Sequence, residues 1–201
     1  MLAPGDRRPG ILSEAERLLS YRRLSLNRLD GEQAGAVLDE LDDLYREVYS
    51  EPPYKWAEDR LALFRARFEE QRRQPGFALV TARVNGSLAG FTFGVTLGPA
   101  TPWWENLAEP LSEEITREYE GRTFAVIEIL VRAAARRLHF GQQLHDLLLK
   151  GRTEVRATLA VLASAEAGRA ACDRWGWQRV GLRQGPLSDG QLFEVRVRGL
   201  S

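Results

Sequence analysis

Apolar positions divide the chain into segments with two different periods. Alternating or continuous apolar runs predict β-strands over residues 21–29, 77–84, 88–97, 124–131, 157–163, 177–182 and 192–197. Apolar residues three or four positions apart predict a helix after an N-cap at Asp30, and further helices over residues 57–73, 112–119, 140–149 and 165–175. The Asn85-Gly86 pair predicts a type I′ hairpin turn between the second and third strands.

The length of the chain, 201 residues, is enough for one compact domain and short for two. Residues 1–19 are interpreted as a polar N-terminal tail, in which Ser13 and Glu16 match the capping box of a short helix. Residues 20–201 are predicted to form the single domain. Two loops interrupt the pattern of predicted helices and strands. Pro52-Pro53 breaks a helix within residues 50–54, and a longer insertion begins at Gly98, before the central strand.

Composition argues against several classes of function. The 28 basic and 28 acidic residues balance, so no net field favours nucleic acid or a membrane surface. Cys172 is the sole cysteine, and there are two histidines, so we expect neither an internal disulfide nor a metal centre. No segment has the apolar length of a membrane span, and the N-terminus lacks the core of a secretory signal. We therefore expect a cytoplasmic protein.

The stretch from Phe124 to Leu149 carries the clearest functional pattern. An apolar strand is followed by an arginine-rich turn, and Phe140 and Leu144 then begin one face of a helix. A helix N-terminus presents backbone N–H groups and the positive end of the helix dipole. With arginines beside it, this end is suited to bind a phosphate.

This pattern resembles the GNAT superfamily of N-acyltransferases, whose signature is Gln/Arg-x-x-Gly-x-Gly/Ala before the same helix. The run from Arg136 to Gly141 matches it at both ends, with His139 at the place of the first glycine. Gly176-Trp177 matches a second family pattern near the next helix. In that second pattern, Ala165 and Cys172 replace the usual asparagine and tyrosine.

The resemblance implies an α/β (α+β) fold. Its sheet would be mixed, mostly antiparallel and twisted, and helices would flank it. The central strand would splay from the strand at 157–163 and admit a pantetheine arm between them.

The implied activity is transfer of an acetyl group from acetyl-CoA, or another acyl-CoA, to a primary amine by direct attack. The acceptor would be a small molecule, although a protein N-terminus or lysine remains open, as does a homodimer. One alternative uses a thioester on an acyl carrier protein as the donor. Another is a catalytically silent domain that binds acyl-CoA.

The resemblance also implies a donor site around the strand–turn–helix. Backbone N–H groups from His139 to Gln142 would bind the pyrophosphate, and Arg136 and Arg137 would add charge, unless they are merely solvated. His139 is interpreted first as a tolerated substitution and second as a sign of a changed donor. The full predicted donor set is Ile129, Leu130, Val131, Arg136, Arg137, Leu138, His139, Phe140, Gly141 and Gln142.

Two residues are predicted to be catalytic. Glu128 interrupts an apolar strand, where a carboxylate needs a partner, a raised pKa or an open cleft. It is therefore either a general base for the amine or a structural hydrogen-bonding group. Cys172 stands where relatives have a proton-donating tyrosine, and it is either that acid or small core filler.

Aromatic residues in the two long loops are predicted to border the acceptor. They either line an apolar or planar acceptor pocket or anchor their loops to the core. The predicted acceptor set is Tyr49, Tyr54, Trp103 and Trp104.

Overall fold

A computed structural model describes residues 24–56, 58–136, 138–185 and 190–200. The predicted tail, its short helix and the first residues of the first strand lie outside these ranges. Arg137 and part of the predicted turn before the last strand do as well.

Seven strands form one mixed sheet in the order β1-β2-β3-β4-β5-β7-β6. The β4–β5 pair is parallel and every other neighbouring pair is antiparallel, which confirms the predicted sheet. The strands are β1 (Leu24–Leu29), β2 (Ala78–Val84), β3 (Ser87–Thr96), β4 (Thr123–Val131), β5 (Arg156–Leu162), β6 (Gln178–Gln184) and β7 (Leu192–Gly199).

Helices cover both faces of the sheet. They are α1 (Gly31–Gly35), α2 (Leu38–Tyr49), α3 (Glu58–Gln71), α4 (Glu113–Thr116), α5 (Phe140–Leu149) and α6 (Glu166–Arg174). Phe64 and Phe68 of α3 pack with Phe91 and Phe93 of β3 on one face. On the other face Leu144 and Leu148 pack against Phe124 and neighbouring apolar residues. Because both faces are covered, the middle strands are apolar on both sides.

Two local predictions are confirmed. Asp30 caps α1, since its side chain accepts hydrogen bonds from the backbone N–H groups of Glu32 and Gln33. Asn85 and Gly86 have φ values of 53° and 84°, as a type I′ turn between β2 and β3 requires.

Two helix predictions need correction. The helix predicted after Asp30 is divided into α1 and α2, and two glycines, Gly31 and Gly35, lie in the short first piece. The helix predicted over residues 112–119 ends at Thr116. Its last predicted turn is extended because Glu118 turns inward to an ion pair with Arg156.

A β-bulge in β4 determines which face Glu128 occupies. Phe93 of β3 pairs with Glu128 and the next residue, Gly94, pairs with Val126, so Ile127 is the extra residue. Without the bulge, Glu128 would share the α5 face with Val126, because side chains alternate along a strand. With it, Glu128 lies on the face of Phe93, towards α2 and α3. Gly94 permits the close approach, since a Cβ there would lie 2.3 Å from the carbonyl oxygen of Ala125.

The splay between β4 and β5 begins at the same point. The two strands pair from Thr123–Arg156 to Val126–Leu159 and no further. Beyond Val126 the strands diverge, which opens the sheet beside Glu128. This confirms the predicted splayed central pair.

The insertion between β3 and β4 is fixed by a buried ion pair. Nη2 of Arg156 lies 2.9 Å from Oε1 of Glu118, and that oxygen also accepts a hydrogen bond from Nε1 of Trp104. The Glu118 side chain is only 1% exposed. Trp104 is therefore an anchor of this loop.

Replacing Arg156 with methionine should lower the free energy of unfolding by about 3 kcal/mol, because it leaves a carboxylate buried without its cation. Urea denaturation measures the loss. The exposed pair Arg117–Glu113, with atoms 3.8 Å apart, provides the control. Arg117→Met should change stability by less than about 0.5 kcal/mol. Equal losses in the two variants would contradict the assigned role of Arg156.

Candidate active site

A cavity of about 1780 Å³ opens where β4 and β5 diverge. Its walls come from both strands, from α3, α5 and α6, and from the loop after α2. The cavity brings together most of the predicted site residues: Tyr49, Tyr54, Trp103, Glu128, Ile129, Leu130, Val131, Arg136, His139, Phe140, Gly141, Gln142 and Cys172.

Two predicted residues do not line this cavity. Trp104 instead donates its indole N–H to Glu118, so its predicted contact with an acceptor has no support from its position. Leu138 packs against Ala89 and Ala135 beside α5. Arg137 lies outside the described residues.

The N-terminus of α5 lies at one end of the cavity. The side chain of the N-cap residue, His139, makes no capping hydrogen bond, and His139 has a left-handed backbone with φ of 58°. Glycine adopts that conformation without strain, which gives a reason for the glycine usual in the family pattern. The His139 side chain is exposed.

Gly141 leaves space at the first turn of α5. A Cβ built there would meet nothing closer than Trp175, at 3.6 Å, so the protein itself does not require glycine at this position. The open space and the positive end of the helix dipole together suit an anionic group such as a pyrophosphate.

Arg136 lies at the mouth of the cavity, half exposed. Its Nε donates a hydrogen bond to the carbonyl oxygen of Val131 at 3.2 Å, and its Nη2 lies 3.7 Å from the Glu51 carboxylate. The ion pair is solvent-exposed and therefore weak, so the guanidinium can also pair with a bound anion.

Glu128 lines the cavity and follows the bulge directly. One carboxylate oxygen accepts a 2.7 Å hydrogen bond from the hydroxyl of Tyr49. Burial raises the pKa of Glu128 from its ordinary 4.5 to about 7, although Tyr49, Arg67 and Arg60 each act to lower the pKa. A carboxylate with this pKa is suited to take a proton near neutral pH.

Aromatic rings enclose the Tyr49–Glu128 pair. The Tyr49 ring stacks on Trp56 with centroids 3.9 Å apart, and Tyr54 meets it edge-on at 4.7 Å. Burial raises the pKa of the Tyr49 hydroxyl well above 10, so this group remains a hydrogen-bond donor to Glu128. The rings limit water around the carboxylate and present an apolar surface to the cavity.

Cys172 of α6 also lines the cavity, but it is mostly buried within the core cluster on that face. Burial raises the pKa of its thiol to about 11, so it is protonated at neutral pH. Its position is compatible with both predicted roles, proton donor and core filler.

Three arginines near the predicted acceptor side were not identified from the sequence. Arg60 and Arg67 come from α3 and Arg183 from β6, and all three line the cavity. The spacing of seven residues between Arg60 and Arg67 places them on one helix face and was a usable signal. The position of Arg183 depends on strand order, which the sequence pattern does not contain.

In the described ranges, every helix is too short or too polar to span a lipid bilayer. The same ranges hold no group of three or more histidine, cysteine, aspartate or glutamate side chains placed to bind a metal ion.

The fold is similar to that of known proteins in structure, although no sequence comparison finds a match. No family model matches the sequence, and no curated protein matches it at a significant level. An aminoglycoside 6'-N-acetyltransferase complexed with coenzyme A has a TM-score of 0.60 at 15% identity, over 88% of this chain and 97% of its own. The ribosomal-protein-S18-alanine N-acetyltransferase from Escherichia coli has a TM-score of 0.58 at 16% identity, over 89% and 94%.

A GNAT-family acetyltransferase from Bacillus cereus has a TM-score of 0.55 at 12% identity, over 89% of this chain and 98% of its own. The chain therefore has the fold of the GNAT acetyltransferases, as its strand–turn–helix motif predicted. The similarity extends over nearly all of the domain.

Proposed function

We propose that this protein is an N-acetyltransferase that transfers the acetyl group of acetyl-CoA to a primary amine. The observation that carries the proposal is Glu128, which has a pKa of about 7 and lies where the sheet opens beside the α5 N-terminus. The GNAT fold supports the reaction class, and a structural neighbour complexed with coenzyme A supports the donor.

The donor site fits an acyl-CoA. The backbone N–H groups at the start of α5 would hold the pyrophosphate, with Gly141 leaving room and Arg136 adding charge. The gap between β4 and β5 would take the pantetheine arm. Bound there, acetyl-CoA supplies an activated thioester carbonyl.

Glu128 would act as the general base for the acceptor. Its carboxylate takes the proton of the ammonium group, directly or through one water, and the neutral nitrogen then attacks the carbonyl carbon. The C–N bond forms as the C–S bond breaks. The nitrogen, positively charged after the attack, releases its second proton to solvent, and the leaving sulfur takes up a proton. Cys172 is the predicted donor of that proton, and solvent is the alternative.

The pH dependence of the activity should report the ionisation of Glu128. Only the ionised form accepts a proton, so kcat/KM should rise as pH increases through about 7. Tyr49→Phe removes a hydrogen bond that lowers this pKa, so the rising limb should move to higher pH. When both enzymes are measured with the same amine, the ionisation of the acceptor affects the two pH profiles equally, so the difference between them reports the enzyme. An unchanged limb would show that another group controls the activity.

The direct test of function is incubation with acetyl-CoA and a panel of primary amines. Mass spectrometry should detect N-acetylated amine, with an equal amount of free CoA thiol. Glu128→Gln is the control for background transfer. If acetyl-CoA binds but no amine is acetylated, the domain is a binding protein. If acetyl-CoA and CoA both fail to bind, the donor has been wrongly assigned.

A further inference from the structure

One wall of the cavity is a largely polar stripe on α3. The apolar side of this helix, with Leu61, Phe64 and Phe68, packs into the core. The neighbouring side faces the cavity through residues spaced three to four positions apart, as one helix face requires. These residues are Arg60, Leu63, Arg67 and Gln71.

The charged groups on this stripe are positive. The guanidinium carbon of Arg60 lies 3.8 Å from the centre of the Trp56 ring, and its Nη1 donates to Oε1 of Gln191 at 2.9 Å. Arg67 donates from Nη2 to the Tyr45 hydroxyl at 3.3 Å. Both arginines act on Glu128 through space, and neither lies within ion-pair distance of it in the described structure.

Arg183 adds a third positive charge from a different wall. Its Nη1 donates to the carbonyl oxygen of Trp103 at 3.0 Å, and its guanidinium lies 5.5 Å from the Trp103 ring centre. Burial lowers the pKa of Arg183, although the charge of Glu105 acts through space to raise it. The backbone hydrogen bond from Gly185 to Gln191 connects the Arg183 strand to the loop that Arg60 contacts.

The guanidinium groups of Arg67 and Arg183 retain unused donors. A guanidinium has five N–H donors, and Arg67 and Arg183 each make one side-chain hydrogen bond among the described residues. Among the side chains that the structure describes, no carboxylate lies within 4.0 Å of either group. Glu128 also lines the cavity, and the proposed reaction needs it as a base.

We propose that the amine acceptor carries an anionic oxygen group, a carboxylate or a phosphate, that binds between Arg67 and Arg183. The inference rests on the proposed N-acetyltransferase function and specifies its acceptor. The anion accepts charge-assisted hydrogen bonds from the two guanidinium groups. Its amine then lies towards Glu128, and the aromatic surface of Tyr49 and Trp56 contacts the carbon skeleton between the two.

The test compares matched amines that differ in the anionic group. Phenylalanine is paired with phenylalaninamide for carboxylate, and O-phosphoethanolamine with ethanolamine for phosphate, while spermidine is a purely cationic amine. We expect at least one anionic member to exceed its neutral partner in kcat/KM by about tenfold or more. Whichever pair shows the preference identifies the anion, and spermidine should be a poor acceptor.

Two variants assign the preference to the arginines. Arg67→Gln and Arg183→Gln should each lower kcat/KM for the preferred anionic amine by about 10- to 100-fold. They should change kcat/KM for its neutral partner much less, which separates anion binding from any change in Glu128. The control is Arg65→Gln on the same helix, since Arg65 is exposed and pairs with Asp39 of α2. It should leave both values unchanged.

The outcomes separate this inference from the function on which it rests. Acetylation of neutral amines as fast as, or faster than, anionic ones would overturn the anionic acceptor and leave the acetyltransferase in place. An anion preference that survives in both variants would also overturn it, since the arginines would not be its cause. Failure to acetylate any amine would overturn the function itself, and the inference with it.

Discussion

Glu128→Gln is expected to lower kcat/KM for amine acetylation by about 10³-fold, within the usual range for loss of a general base. Glutamine has almost the same shape and can still accept the hydrogen bond from Tyr49, but it cannot take a proton at neutral pH. The affinity for acetyl-CoA should not change, because the proposed pyrophosphate contacts are at α5. Steady-state kinetics and a titration with acetyl-CoA measure the two effects.

The same substitution should stabilise the protein at alkaline pH. The pKa of Glu128 is about 7 in the folded protein and near 4.5 when unfolded, so ionisation is harder in the folded state. Below pH 4.5 the carboxyl is protonated in both states and costs no stability. As pH rises from about 4.5 to about 7, only the unfolded state is ionised, so the folded state loses stability. The loss is complete once pH has passed through the folded pKa of about 7. At pH 8.5, Glu128→Gln should therefore raise the free energy of unfolding by on the order of 2 kcal/mol.

A variant that is both less active and more stable is hard to explain by a structural role for Glu128. If the hydrogen bond to Tyr49 were the main contribution of Glu128, the variant would be destabilised at every pH. Chemical denaturation at pH 5 and pH 8.5 distinguishes the two cases. Unchanged activity in Glu128→Gln would exclude the residue as the general base.

Gly141→Asp is expected to weaken acetyl-CoA binding by at least about 100-fold, because it places a negative charge where the pyrophosphate would bind. The fold should tolerate the change, since the Cβ position has ordinary space and the nearest atom lies 3.6 Å away. An aspartate in the first turn of a helix also interacts favourably with the helix dipole. The melting temperature should therefore stay the same or rise slightly.

Gly141→Asn is the matched control for charge. Asparagine has nearly the shape of aspartate and crowds the donor site to the same degree without a charge. Isothermal titration of both variants with acetyl-CoA separates the two effects. Equal affinities in the two variants would mean that no phosphate group lies against this turn.

Local patterns in the sequence were enough to predict the strands and helices, and the fold followed from the resemblance of one motif to a known family. Asn85-Gly86 determined a hairpin turn through its backbone preferences, and the period of the apolar residues distinguished strands from helices. The apolar strand, arginine-rich turn and helix at 124–149 predicted the element order at the centre of the site. These features depend on residues that are close together in the chain.

The orientation of Glu128 could not be predicted in this way. Its face of the sheet depends on the bulge at Ile127, which arises from the pairing of β4 with β3. In strict alternation, Glu128 would lie on the α5 face, away from Tyr49. Its partner Tyr49 is 79 positions away in the chain, and no local pattern links the two residues.

The roles of the loop tryptophans also depended on distant residues. Trp103 and Trp104 are adjacent, yet Trp103 lines the cavity and Trp104 binds Glu118. The buried Glu118–Arg156 pair that separates their roles joins the insertion to β5. The positive charge on the acceptor side likewise combines α3 with β6, two elements that are far apart in sequence.

The most direct test of the proposed site is a crystal structure of the protein with CoA or acetyl-CoA. We expect the pyrophosphate oxygens to accept hydrogen bonds from the backbone N–H groups of Gly141 and Gln142. The pantetheine arm should pass between β4 and β5, with its sulfur end beside Glu128. Density for the cofactor at any other place, with the gap between β4 and β5 left open, would contradict this assignment.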